Sequence, residues 1–322
     1  MYKYLRLMAA AASFALALPA QAADYPAKPI RLLVGYAPGS GADVVARLLA
    51  EKLQETFRTG VIVENKAGAG GVLAAQETAR SAPDGYTLTL AAMPQMTILP
   101  RISKVPYDPK RDFIPVSQVV GTDLVLLTNP ARVPSGSMPE FVAWAKQQPA
   151  LFFGTPGPGT VGHFGAYIFA DAVKVKIEPI HFRNTGDQVT GLVNGDINAE
   201  FFSYSPALPL VKSGRLKALI TTSPTRSAMF PDTPTSAEAG YPDMQFTSWY
   251  GVFAPAGTPV NIVTTLSQAI ITATQSPVTR QKLEDAGLRV TGTTSQAFAL
   301  LLQEDIQRWA EVVRSTDFKP QE

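Results

Sequence analysis

Residues 30–57 read IRLLVG (30–35), YAPGSGA (36–42) and DVVARLLAEKLQETF (43–57), which predicts a buried strand, a glycine-rich turn and an amphipathic helix. Ile30, Leu32, Leu33 and Val34 form the short apolar run of a strand covered on both faces. Gly35 ends it. Ser40 to Asp43 spells S-x-x-D, in which a serine oxygen and an acidic side chain satisfy the first N–H groups of a helix, so Asp43 has a capping role available beside any contact with a ligand. Val45, Leu49, Leu53 and Phe57 recur every four residues and lay one apolar stripe toward a sheet. Function rests on the turn, because a glycine-rich loop opening a helix aims backbone N–H groups and the positive end of the helix dipole above the strand. Such a place suits an anion. Gly39 and Gly41 begin a G-x-G, but Val44 stands where a dinucleotide fingerprint needs its third glycine, and no G-K-[ST] occurs. A carboxylate fits better than a phosphate.

The first 22 residues read as a signal peptide outside the fold. Lys3 and Arg6 make a basic start, Leu7 to Leu18 an apolar run too short to span a bilayer, and Ala20-Gln21-Ala22 an A-x-A cleavage site. Cleavage after Ala22 removes two of the 28 Lys+Arg and none of the 26 Asp+Glu, so the formal charge falls from +2 to zero. A neutral surface gives no reason to expect nucleic acid or an acidic membrane as partner. Cysteine is absent, which excludes disulfides, thiolate metal sites, a cysteine nucleophile and a lipid-modified cysteine. An exported chain without a lipid anchor or a second apolar span belongs in the periplasm. The roughly 300 remaining residues exceed one ordinary core and predict two domains sharing a crevice.

The opening unit recurs: strand Val61 to Asn65, loop Lys66 to Gly71, helix from about Val72 to Arg80, then strand Tyr86 to Ala91 after the turn Pro83-Asp84-Gly85. This order implies parallel pairing with right-handed crossovers, and ligands in such sheets sit beyond the carboxyl ends of the strands, where both glycine loops fall. Asp108 to Val120 is proline-punctuated and leads to strand Leu124 to Thr128, read as the crossing into a second domain. Ser137, with Glu140 completing a second capping box, opens a helix through Gln147. Strand Leu151 to Gly154, loop Thr155 to Gly162 and a helix from His163 to about Val173 repeat the architecture. Further strands are read at Ile177 to Phe182, Ala199 to Phe202, Lys217 to Thr222 and, as the return crossing, Phe246 to Ala254, with a short helix from Asp187 to Asn194. Helices Val260 to Thr274, Thr279 to Asp285 and Ser295 to Ser315 close the chain and are expected to pack back on the first domain, made of residues 24–122 plus 248–322 around a second domain of 123–247.

Catalytic material is thin. There is no G-x-S-x-G, S-x-x-K or H-E-x-x-H, and the only imidazoles are His163 and His181, read as far apart and without a paired acid, so neither catalysis nor a metal site is expected. His181, in the apolar context Ile180-His181-Phe182, reads as a satisfied core or edge histidine. His163, on the first turn behind the second glycine loop, either bonds the loop backbone or contacts a ligand. Lys66 and Arg183 flank predicted cleft loops and either neutralise a carboxylate or remain solvated. Trp249 and Tyr250 are either an apolar floor for a ligand or hinge packing.

The stretches YPAKPIRLLVGYAPGSGADVVAR, VENKAGAGGVLAA, APDGYTL, VPYDPKRDFIPVS, GTPGPGTVGH, LVNGDIN, FPDTPTSAEAGYP and APAGTP, in this order over essentially the whole mature chain, resemble the extracytoplasmic solute receptors of the tripartite tricarboxylate transporter system, the Bug family. The resemblance implies an α/β fold like type II periplasmic binding proteins: two domains, each a mainly parallel sheet flanked by helices, with two crossing segments, closing on a ligand. It implies a periplasmic receptor for a small carboxylate, monomeric, without cofactor or catalysis, delivering its ligand to the membrane components of a tripartite tricarboxylate transporter. A secreted enzyme on the same scaffold and a ligand-sensing subunit are the alternatives. By the resemblance, one jaw is the loop with Tyr36, Ala37, Pro38, Gly39, Ser40, Gly41 and Asp43, and the other holds Thr155, Gly157, Gly159, Thr160 and His163. Asn65, Gly68, Ala69 and Gly70 line the same pocket. Arg183, Asp187 and Ser203 complete the candidate contacts. Where the family has a Tyr-Lys-Gly stretch, this chain has Phe182-Arg183-Asn184-Thr185-Gly186-Asp187; Asp187 either caps the following helix or faces the cleft and selects a zwitterion or monocarboxylate.

Overall fold

The computed structural model describes residues 25–182 and 184–316. The expected signal peptide and Arg183 lie outside the described residues.

The opening segment folds as read into β1 (Ile30–Val34), α1 (Gly41–Phe57), β2 (Val61–Asn65), α2 (Val72–Ala79) and β3 (Thr87–Ala92). β1 pairs in parallel with β2 on one side and β3 on the other. Val45, Leu49 and Leu53 of α1 are fully buried, each worth about 1.5–3 kcal/mol when removed from water, and Phe57 packs at the edge of the same cluster. The Ser40 hydroxyl caps α1 by accepting from the Asp43 N–H (3.3 Å). The Asp43 carboxylate, however, bonds the N–H of Gly39 rather than that of Ser40 (2.9 Å), one residue beyond a capping box.

Two short helices follow, α3 (Met93–Thr97) and α4 (Leu99–Ile102), and then β4 (Phe113–Thr122). The proline-punctuated segment is thus mostly strand, and only Asp123 separates β4 from β5 (Leu124–Thr128). Pro115 is tolerated because it pairs with Phe253 at a register shift, where a missing donor matters least. The chain continues through α5 (Met138–Ala145), β6 (Leu151–Thr155), α6 (Val161–Val173), β7 (Ile177–His181), α7 (Thr185–Asn194), β8 (Ala199–Ser203), α8 (Tyr204–Lys212) and β9 (Lys217–Thr221). It closes with β10 (Ser248–Pro255), α9 (Val260–Gln275), α10 (Pro277–Asp285), β11 (Arg289–Val290) and α11 (Ser295–Ser315).

Two mixed sheets result, one ordered β11-β4-β10-β3-β1-β2 and the other β7-β6-β8-β5-β9. Each is parallel around its first glycine loop, at β2-β1-β3 and β7-β6-β8, and antiparallel beyond, because β10 runs against β3 and β4, and β5 against β8 and β9. The sheets are therefore less parallel than the reading expected. α9 and α11 pack on β4 of the first sheet, with Phe298, Leu302, Ile306 and Trp309 of α11 turned inward. The end of α11 also meets the second half: Trp309 lies edge-on to Phe246 (6.3 Å), which in turn lies edge-on to Phe201 of β8 (5.2 Å).

Candidate functional site

The first loop is fastened from beneath. Asp43 is buried, and its carboxylate accepts from Gly39 N–H, from Arg47 Nε (2.9 Å) and from Asn65 Nδ2 (2.8 Å). Burial alone would raise its pKa; the hydrogen bonds from Arg47, Gly39 and Asn65 overcome that and hold it at about 2. Asn65 also donates to the Tyr36 carbonyl (3.0 Å) and accepts from Arg47 (3.1 Å). Asp43 and Asn65 thus shape the loop with every polar atom engaged. Gly39 takes φ +80°, open to glycine, and a β-carbon there would meet nothing within 4 Å. At the start of α1 the N–H groups of Gly41 and Ala42 find no acceptor among the described residues. Helix-start donors of this kind suit an anion.

The second loop, Gly68 to Gly71, has positive φ at all four residues, Ala69 included. Gln95 pins it, donating to the Gly71 carbonyl (2.6 Å), and Tyr36 donates to the Gly70 carbonyl (3.4 Å). Lys66 pairs with Glu77 (3.4 Å), so its charge is already answered.

The jaw on the second sheet repeats the first with different atoms. The Thr160 hydroxyl caps α6 by accepting from His163 N–H (3.2 Å), and Gly159 at φ +77° donates its N–H to His163 Nδ1 (3.3 Å). Gly39-Ser40-x-x-Asp43 and Gly159-Thr160-x-x-His163 are therefore one device built twice: a positive-φ glycine, a hydroxyl cap, and an acceptor four residues on. Nδ1 must be unprotonated to accept, and burial followed by the nearby His181 lowers the His163 pKa to about 4. The two histidines are not far apart, as expected from sequence, but lie with ring centroids 4.9 Å from each other. Parallel pairing sets Thr155 opposite His181, whose Nδ1 is 2.6 Å from the Thr155 hydroxyl, and the Gly157 N–H donates to that hydroxyl (3.3 Å). His181 is an edge-strand residue with a partner, as read.

The glycine loops meet on α4. A β-carbon added to Gly70 would come 2.9 Å from Leu99 Cδ1, and one added to Gly159 would come 3.7 Å from Leu99 Cδ2 and 2.6 Å from Ile102 Cδ1. Gly159 therefore faces the opposite half, whereas Gly157 (φ +126°) opens into unfilled space as Gly39 does.

Residues 45–318 match the family model described as "Tripartite tricarboxylate transporter family receptor". The chain belongs to this family. Protein BugT of Bordetella pertussis is 36% identical over 311 residues, covering 96% of this chain and 95% of BugT. Among solved structures, MatC from Rhodopseudomonas palustris with bound malate is 31% identical with a TM-score of 0.74, over 90% of this chain and all of MatC. A second R. palustris protein, with adipate, is 28% identical with a TM-score of 0.77, over 90% of this chain and 98% of that one. Members of the family are periplasmic solute receptors, and two domains of this architecture are their fold.

In this receptor the remaining candidates divide. Asp187 is exposed; its N–H donates to the Asn184 side chain (2.9 Å) and its carboxylate accepts from the Asn184 amide (2.8 Å), so Asn184 is the cap of α7 and Asp187 its partner. Ser203, at the carboxyl end of β8, is exposed and makes no side-chain cap bond. Trp249 and Tyr250 stand within β10. Trp249 is fully buried, donates to Asp305 (2.7 Å) and stacks edge-on with Phe298, which makes it packing at the crossing. Tyr250, read with Trp249 as either a ligand floor or hinge packing, sends its hydroxyl to within 3.5 Å of where a Gly41 β-carbon would stand, at the N-terminus of α1. The pairing of β10 against β3 sets it opposite Ala92 and brings it there. Among the described residues no cluster of His, Asp or Glu could hold a metal ion.

Proposed function

We propose that this receptor captures a small carboxylate between the loop Tyr36–Asp43 and the loop Thr155–His163, and releases it unchanged to the membrane components of a tripartite tricarboxylate transporter. The observation that carries the reading is the pair of helix N-termini built to one plan, each leaving its first N–H groups for an anion, together with the Gly68–Gly71 loop, which meets the second of them on α4. Backbone donors reward a carboxylate without burying a lysine or arginine, whose desolvation is expensive. The malate and adipate in the related structures agree with this class of ligand.

In this reading Tyr36, Gly39, Gly41, Gly157 and Tyr250 face the ligand, and Asp43, Asn65 and His163 hold the loops. The chain works as a monomer in the periplasm after cleavage at Ala22, and no chemical step occurs. The two sheets support domains of 24–122 plus 248–322 and of 123–247, closing about the crossings at Asp123 and near Thr247.

Thermal shift of the mature protein against a panel of mono-, di- and tricarboxylates tests the proposal. A true ligand at a hundred times its Kd adds about 2.7 kcal/mol of stability. Stabilisation by amines or sugars screened alongside, and by no carboxylate, would refute it.

A further inference from the structure

The turn α4 lies between the Gly68–Gly71 loop and the Thr155–His163 jaw through Leu99 and Ile102, and its outer side opens on a hollow of about 340 Å³. Met96, Tyr107 and Ile306, all buried, supply an apolar floor. The rim carries Arg101, Lys104 and Lys110, all exposed. Among the described residues none of the three is in an ion pair, although neighbouring Arg111 is paired with Asp112 (2.7 Å). The one acid of the lining, Asp108, turns its carboxylate onto its own loop, accepting from the N–H groups of Lys110 (2.8 Å) and Arg111 (3.1 Å). Three cations without an ion pair among the described residues thus surround an apolar floor.

We infer that this hollow is a docking surface for an acidic polypeptide segment carrying an apolar anchor, of the kind an extramembrane loop of a carrier presents. The cations attract and orient the segment, and the floor takes the anchor. Because α4 also lies against Gly70 and Gly159, a segment seated here contacts the element on which the Thr155–His163 jaw and the Gly68–Gly71 loop meet. Docking and jaw closure are thereby coupled, and by reciprocity each favours the other. The inference rests on the proposed delivery to a membrane partner, but its test needs no carboxylate.

A fluorescein-labelled peptide, acetyl-EEDLFDEE, is titrated into the mature protein and followed by anisotropy. Binding that weakens at least tenfold in the triple variant Arg101→Glu, Lys104→Glu, Lys110→Glu, and not in Lys212→Glu, Arg215→Glu, Lys217→Glu on the other half, is expected. A circular-dichroism melt shows that both variants fold, and the carboxylate thermal shift reads ligand capture separately. Gly159→Val, which spreads the seam at Ile102, should weaken the peptide at least threefold; an unchanged Kd there overturns the coupling. No peptide binding, equal binding by the first triple variant, or loss of binding to phosphatidylglycerol vesicles in its place overturns the docking surface.

Discussion

Glu200 offers a quantitative test of how this fold tolerates a polar group in its core. It lies on β8 between Leu127 of β5 and Gly154 of β6, it is 1% exposed, and among the described residues neither carboxylate oxygen has a hydrogen-bond partner. Gly154 makes the room, since a β-carbon there would fall 2.6 Å from Glu200 Oε2 and 2.3 Å from Ile197 Cδ1. Burial pushes the Glu200 pKa from 4.5 up to about 8. The folded state thus holds a proton that the unfolded chain releases, so stability falls as pH rises from 4.5, and the full penalty is reached above about 8. At about 1.4 kcal/mol per pH unit, the cost at pH 7 is about 3 kcal/mol and above pH 8 about 5 kcal/mol. Glu200→Gln keeps the shape and removes the ionisation. Its unpartnered amide carries a penalty of the same order as the neutral acid, ~1–3 kcal/mol, so the two nearly cancel. Urea denaturation at several pH values should show wild type and variant equal near pH 4.5 and the variant about 3 kcal/mol more stable at pH 7. A melting temperature higher by roughly 6 °C is the corresponding thermal shift, at about 2 °C per kcal/mol for a chain of this size. Parallel stability curves from pH 4.5 to 8.5 would mean that the acid has found a partner and that the burial argument is wrong.

His163, with its pKa lowered to about 4, contributes stability that is complete above 6.5 and lost as pH falls toward 4, by up to about 3 kcal/mol. His163→Asn, which can still accept from Gly159, should flatten that acid slope in thermal melts, and an unaltered slope would move the effect elsewhere. Gly39→Val and Gly159→Val each place a branched residue at positive φ, costing ~1–3 kcal/mol of stability. Calorimetry should show binding lost in both, in the first through the open face of the jaw and in the second through the clash with Ile102; full affinity in both would misplace the pocket. Asp187→Ala should lower the melting temperature slightly, by the ~0.3–1 kcal/mol of an acid in a first helical turn, and leave the preference between mono- and dicarboxylates unchanged. A shifted preference would return Asp187 to the cleft.

What could be read from the sequence was local. The first 60 described residues fell into place because Ser40 caps a helix whose apolar residues repeat every four, and Gly35 stops the strand before it. The misread pieces carry proline where pattern reading takes it as a break: Pro115 inside β4, Pro94 and Pro100 at the starts of α3 and α4, and Pro206 and Pro209 within α8. In the first turn of a helix, where Pro94, Pro100 and Pro206 stand, proline sacrifices no hydrogen bond, and at a register shift it sacrifices little; Pro209, inside α8, gives one up. Site geometry was legible only as loops. That His163 stands beside His181 follows from Thr155 pairing with His181 across two parallel strands, and that Leu99 touches two glycine loops follows from packing between the sheets. Neither is encoded by spacing along the chain.

The two jaws also differ in a way that bears on how an anion is held. Both lock a left-handed glycine by giving its N–H to a side chain four residues on, but Asp43 is charged and His163 is neutral. In the first jaw the charge is answered at once by Arg47, whose guanidinium lies on the same carboxylate oxygen that Gly39 uses. In the second, a neutral imidazole does the same work with no charge to answer. Each jaw therefore presents to the seam little net charge beyond the dipoles of its helix, and those dipoles point their positive ends at it. Under the function proposed above, such a field selects an anion without the strong ion pair that would slow its release. A receptor that must hand its ligand on needs both properties, and a buried lysine or arginine would secure the first at the expense of the second.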